Sequence, residues 1–211
     1  MSQTQSASTD RGGSIVAGLA PWIVYWILVG NVDFRLAVLI AFGVAAFQLV
    51  KTVFLEGQSP KVLDVGTVGA FAALVIVTYA TDDQFLERWI QPITSGALLA
   101  IALGSMVIGK PFARQYAREH VPKELWESPR FLRTTLVATW AWVGVFAVMT
   151  VSALIPPIVD GQNTFYEQDD TVGVIFYWVI PFLALAAGII FTKWYPEHVR
   201  RQAAAGEPVR S

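Results

Sequence analysis

The chain contains no cysteine, which excludes disulfides, thiolate metal sites and cysteine nucleophiles. Histidine is nearly as scarce. His120 and His198 stand alone, without the companion at His-x-x-x-His spacing that metal ligation on a helix uses. Neither a glycine-rich phosphate loop nor a dinucleotide fingerprint occurs in a strand–helix context. No Gly- or Pro-rich linker divides the chain, so a single domain is the simplest organisation. Charge is sparse as well, at 15% of residues against about 25% in an ordinary soluble domain. These absences point away from an enzyme. The sequence nominates no catalytic, cofactor-binding or metal-binding residue, no cofactor and no nucleic-acid partner.

What is present is apolar surface. Hydrophobic residues make up 55% of the 211, and mean hydropathy is +0.51. A water-soluble core of this size has no room for so much, so much of it is expected to face lipid or other membrane helices. Six apolar runs occur, at about Ser14–Gly30, Phe34–Leu55, Val62–Ala80, Trp89–Ile108, Thr134–Ile155 and Val172–Trp194. At 1.5 Å per residue each approaches the ~30 Å of a hydrocarbon core. Their continuity, rather than alternation, predicts an all-α polytopic membrane protein with six transmembrane helices. The first run has the length of a signal-peptide core. No small-x-small cleavage site follows it, and Pro21, Trp22, Tyr25 and Trp26 lie within it, so it reads as a retained helix. Pro21 is expected to kink or break it, and Pro156-Pro157 to stop the fifth helix. Residues 1–13 read as a flexible cytoplasmic tail, 14–195 as the membrane domain and 196–211 as a second cytoplasmic tail.

Charge sets the orientation. The segment Gly109–Arg133 carries Lys110, Arg114, Arg118, Lys123, Arg130 and Arg133 against Glu119, Glu124 and Glu127. With both termini inside, thirteen of the fifteen basic residues fall on the cytoplasmic side, leaving only Arg35 and Arg88 outside. The outer loops are acidic, with Asp82, Asp83 and Glu87 in one and Asp160, Glu167, Asp169 and Asp170 in another. The basic loop is thus a topology determinant. Its six cations together with Trp126 are also candidates for contact with anionic headgroups, worth about 1 kcal/mol per well-placed cation, or with protein partners. Lys51, Glu56, Lys61 and Asp64 form a candidate interfacial charge cluster beside it. Arg114 and Arg118 are expected on one face of a short helix after Pro111.

Small residues mark candidate packing faces: Gly96, Ala100 and Gly104 on the fourth helix, Ala184 and Gly188 on the sixth, and Gly66/Ala70 with Gly69/Ala73 on the third. A partner helix on such a stripe comes either from within the chain or from a second copy in a homo-oligomer. Gln48, Thr78, Thr94, Ser95, Ser105, Thr139 and Ser152 are the polar residues in or near spans, and most are expected to bond back to helix carbonyls. Trp22, Trp26, Trp140 and Trp142 fit core packing better than a pigment or quinone site. The alternative function is a small-solute transporter or channel, with Pro21 and Pro181 breaking helices around a solute. No inverted repeat relates the two halves, and no acid, base or histidine lies deep in a span.

Several short motifs occur in order. Leu19-Ala-Pro21 opens the first helix, and Asp82-Asp83-Gln-Phe85-Leu-Glu-Arg-Trp89 leads into the fourth. Gly109-Lys110-Pro111 closes the fourth, Leu125-Trp126 precedes the fifth, and Lys193-Trp194-Tyr195-Pro196-Glu197 ends the sixth. Over residues 15–198 this pattern resembles, distantly, the bacterial inner-membrane family called intracellular septation protein A. Two loops, Gly109–Arg133 and Pro156–Asp170, are longer and more charged than that family leads one to expect. The resemblance implies a small multi-pass protein of the cytoplasmic membrane that supports the cell envelope and septum, with division or elongation proteins as partners. It implies no reaction and no cofactor.

Overall fold

A backbone surrounded by hydrocarbon has to satisfy its N–H and C=O groups within the segment, and every described apolar run is accordingly helical. The computed structural model describes residues 15–159 and 171–204, among which no strand occurs. In chain order the helices are α1 (Ala20–Val29), α2 (Phe34–Leu55), α3 (Val62–Ala80), α4 (Asp83–Val107), α5 (Phe112–Ala117), α6 (Pro129–Val159) and α7 (Thr171–Gln202). Five of them, α2, α3, α4, α6 and α7, are long and apolar enough to cross a membrane, as a multi-pass membrane protein requires. Helix α1 has ten residues and is not among the five. Apolar helices that follow one another pack side by side: α1 on α2, α2 on α3, α3 on α4, α4 on α6, and α6 on α7. Phe47, Phe54, Ile76, Val107, Leu183 and Ile190 all point outward, a belt of large apolar side chains that water would not tolerate and lipid does.

The shortest apolar helix is the most enclosed. Trp22, Tyr25 and Val29 of α1 are fully buried, and the Trp22 ring lies 4.7 Å from that of Phe71 on α3. Its indole N–H donates to Thr67 Oγ1 at 2.9 Å, so the polar edge of a large buried ring is satisfied. Trp142 on α6 repeats the arrangement, donating to Thr192 Oγ1 on α7. Trp22, Trp26 and Trp142 are therefore core residues, whereas Trp140 faces outward.

Several expected boundaries move. Pro21 sits in the first turn of α1 rather than in a helix interior. A separate helical turn at 15–18 precedes it, and Leu19 breaks the two apart. Helix α4 begins at Asp83 instead of Trp89, because Asp82 caps it by accepting from the Phe85 N–H at 2.9 Å. Helix α6 begins at Pro129 instead of Thr134, with Ser128 before it accepting from the Phe131 N–H. It also passes through Pro156 and Pro157 to Val159, contrary to the expected stop. Each of the two prolines leaves a carbonyl one turn earlier without its helical donor, yet the helix continues through both, and the Pro157 carbonyl accepts from Arg88 at 3.1 Å. Helix α7 runs beyond Trp194 to Gln202, so part of the expected tail continues the helix. The acids Asp160, Glu167, Asp169 and Asp170 lie outside the described residues.

Two prolines release carbonyls that other helices recover. Pro21 cannot donate to Ala17 O, and Gln48 Nε2 of α2 takes its place at 2.9 Å. Near Pro181 the helix widens to π geometry over Ile175–Val179, where a Pro181 N–H would have met Phe176 O. Ser152 Oγ of α6 donates to that carbonyl instead. These two side chains bond between helices, whereas Thr78, Thr94, Ser105 and Thr139 bond back within their own, as expected.

The small-residue faces divide. A Cβ on Gly188 would meet Val145 at 3.0 Å and the Trp142 ring at 3.5 Å, so α7 lies against α6 at Gly188, while Ala184 is partly buried against the core. On α3, Gly66 is pressed against Ile101 and Ala70 packs on the core, while Gly69 meets nothing within 4 Å. On α4 the packing face is Leu98, Ala102 and Ser105 instead of the expected stripe. Gly96 touches Thr150 only at van der Waals distance, Ala100 is exposed, and Gly104 has open space around it among the described residues.

Candidate functional site: a basic cleft beside a buried carboxylate

Helix α4 ends in a glycine-dependent turn. Gly109 has φ +69°, its N–H bonds Met106 O, and the Lys110 N–H bonds Ser105 O. This six-to-one closure reverses the chain, and Pro111 then prevents the helix from resuming. The segment that follows is not a solvated loop. Phe112, Ala113 and Tyr116 of α5 are buried, at the i, i+1, i+4 spacing that puts them on one helical face. The Phe112 ring approaches Phe146 of α6 at 6.5 Å between centroids.

On the same face Tyr116 reaches α3. Its hydroxyl donates to Asp64 Oδ1 at 2.7 Å. Asp64 is only 5% exposed, and its Oδ2 is buried with no hydrogen-bond partner among the described residues. Burial, and after it the neighbouring Asp64 charge, push the Tyr116 phenol far above its ordinary range, so it stays protonated and donating. Gly18 lies directly against this hydroxyl, where a Cβ would fall 2.1 Å from the oxygen. Around the pair, Lys61 Nζ bonds Glu119 at 2.6 Å and sits 4.5 Å from the Tyr116 ring centre. Gln115 completes the join by accepting from the Val62 N–H and donating to Lys110 O. The linker is thereby pinned to the start of α3 at several points.

The expected cluster of Lys51, Glu56, Lys61 and Asp64 is accordingly split. Lys51 pairs with Glu56 at 3.2 Å, while Lys61 and Asp64 take their partners, Glu119 and Tyr116, from the basic segment. The turn connecting α2 to α3 separates the two pairs, and α5 fills the space beside the second. Sequence reasoning missed Tyr116, Gln115 and Glu119, although the apolar spacing Phe112, Ala113, Tyr116 was the available signal.

On the outer side of α5 the cations gather. A cleft of about 640 Å³ opens between residues 58–61 and the linker, and Lys61, Lys110, Arg114, Arg118 and Lys123 line it against one acid, Glu119. Trp126 closes one end, donating from its indole to Val121 O and stacking under the Arg118 guanidinium at 4.8 Å. Arg114 and Arg118 both line the cleft, although the short helix ends at Ala117 and Arg118 belongs to the turn that follows it. Arg130 and Arg133 lie outside it, exposed at the start of α6. Among the described residues no cluster of His, Asp or Glu is placed to hold a metal ion. His198 stacks on Trp194 and contacts Gln202. Comparison with protein-family models, curated proteins and solved structures finds no match to this chain.

Proposed function

We propose that this chain is a non-enzymatic multi-pass protein of the cytoplasmic membrane, with six spans and both termini inside. It supports the cell envelope or septum by presenting a fixed contact surface at the inner face. The observation that carries this reading is the linker between α4 and α6. Its apolar side is docked into the bundle through Phe112 and Tyr116, while its other side displays cations. A loop that served topology alone would need no such docking.

Counting α1 as the sixth span is supported by its enclosure. Residues 15–29 extend roughly 22 Å at 1.5 Å per residue, and the helix is shielded by its neighbours, so it need not match the lipid thickness by itself. A role resembling that of the intracellular septation protein A family follows from the ordered motifs. It is favoured over a solute pathway because the space beside Pro181, between α1, α4, α6 and α7, closes to about 20 Å³. It is favoured over a membrane enzyme because Asp64, Tyr116, Lys61 and Glu119 are engaged with one another.

In-cell photo-crosslinking tests the proposal. Leu125, half-exposed on the linker, is the probe position, and Leu183, facing outward on α7, is the control. The expected result is recurrent capture of an envelope or division membrane protein from Leu125 and not from Leu183. Lipid alone at both positions would sink the contact-surface reading.

A further inference from the structure

We infer that the basic cleft is a discrete binding site for one phosphate-bearing anion, presented in the first instance by an anionic lipid headgroup. The inference rests on the placement of this face at the inner membrane surface and goes beyond a general attraction to negative lipid.

The charges are unbalanced by construction. Lys61 is taken up by Glu119, which leaves Lys110, Arg114, Arg118 and Lys123 around one cleft, three of them without an acid and Arg118 with only a distant one. Lys110, Arg114 and Lys123 have no carboxylate within ion-pair distance among the described residues. The Arg118 contact with Glu127 is long, at 3.8 Å, and the glutamate is 83% exposed, so water screens it heavily. Four like charges lining one cleft repel one another, and an anion among them relieves the repulsion.

The geometry favours phosphate. Two guanidinium forks and two ammonium groups supply many N–H donors, and the forks match paired oxygens on one phosphorus. Arg118 is already oriented, stacked on Trp126, while its Nε is buried without a hydrogen-bond partner. A side chain held in place before binding loses less rotamer freedom on contact. The backbone of the cleft is fixed too. One wall turns at Gly109 and the other at Gly57, both with left-handed φ, and Gln115 clamps the walls together through Val62 and Lys110.

The test uses the purified full-length protein in mild detergent, incubated with equal phosphatidylglycerol and phosphatidylcholine and read by native mass spectrometry. One retained phosphatidylglycerol per chain is expected. Lys110→Gln with Lys123→Gln, both in the cleft, should weaken it roughly twenty-five-fold, about fivefold per cation. Arg130→Gln with Lys193→Gln removes as much charge from exposed positions outside the cleft and should leave retention unchanged. Melting temperatures of both double variants verify that they fold. A second arm adds inorganic phosphate. If phosphate displaces the lipid and stabilises the protein with the same dependence on Lys110 and Lys123, the site stands and its anion is a soluble phosphate. If no displacement occurs, the lipid is the source. Equal weakening in both double variants would overturn the site in favour of diffuse surface charge. Retention of an acidic protein instead of any phosphate-bearing species would overturn it as well. Neither outcome depends on the crosslinking result at Leu125, so the two readings fail separately.

Discussion

Gly18→Leu is expected to lower stability by about 4 kcal/mol. The position admits no side chain: the first added carbon would overlap the Tyr116 hydroxyl at 2.1 Å and its ring carbon at 2.6 Å. Tyr116 is 2% exposed, and turning into the cavity beside it, lined by Ala113, His120 and Thr135, would take its hydroxyl away from Asp64. Its displacement removes the only hydrogen bond to Asp64 that the described residues supply, and leaves a buried carboxylate bare. A bond to a charged group contributes about 1.5–3 kcal/mol and overpacking costs a further 1–3 kcal/mol. Unfolding of the detergent-solubilised protein, followed by tryptophan fluorescence, measures the loss. Gly43→Leu is the matched control, because nothing among the described residues lies within 4 Å of its Cβ position, and it should change stability by less than about 0.5 kcal/mol. A companion series separates sterics from charge. Tyr116→Phe alone should cost about 2 kcal/mol. Adding Asp64→Asn should return part of that, because a neutral amide is cheaper to leave unsatisfied than a carboxylate. If Tyr116→Phe is neutral, the Tyr116–Asp64 bond does not hold the linker.

Gly188→Leu should cost about 3 kcal/mol by prying α7 from α6. Its Cβ would stand 3.0 Å from Val145 and 3.5 Å from Trp142, leaving little room for the further leucine atoms on that side. Trp142 cannot retreat without breaking its bond to Thr192, whose own hydroxyl is anchored to Gly188 O at 2.8 Å. Gly104→Leu, on the stripe of α4 that the chain leaves open, should be harmless to the fold. Side-by-side melting curves of the two variants decide the matter. Equal losses would mean that the α4 stripe packs as closely as the α7 one, against the geometry described.

How much of this was legible in the sequence follows from where the signal was local. Continuous apolar runs are set by the bilayer itself, so the second and third helices matched their expected limits of Phe34–Leu55 and Val62–Ala80. Helix starts that involve charge are less legible. Asp82-Asp83 and Ser128-Pro129 are capping signals, yet the neighbouring acids and arginines made both stretches look like loop. Pro156-Pro157 looked like a stop because proline removes hydrogen bonds, yet α6 stays helical through both to Val159 and Arg88 takes up the Pro157 carbonyl. The cleft was half legible. Lys110, Arg114, Arg118, Lys123 and Trp126 stood out by charge and aromaticity, while Lys61 was assigned to a different cluster. Its true partner, Glu119, is 58 residues away by number, and no local spacing encodes such a pairing. Tyr116 was hidden for the same reason, since the carboxylate that gives it a role lies on another helix.

The proposed placement of the linker at the inner membrane surface is tested most directly through the missing cysteines, since the chain gives no background to thiol reagents. Gln84→Cys and Glu124→Cys place one thiol each at exposed positions, at the start of α4 and on the linker. In sealed spheroplasts treated with a membrane-impermeant maleimide, Gln84→Cys should react and Glu124→Cys should react only after the membrane is opened. Labelling of Glu124→Cys in sealed spheroplasts, with Gln84→Cys protected, would contradict the assignment of the basic cleft to the cytoplasmic face.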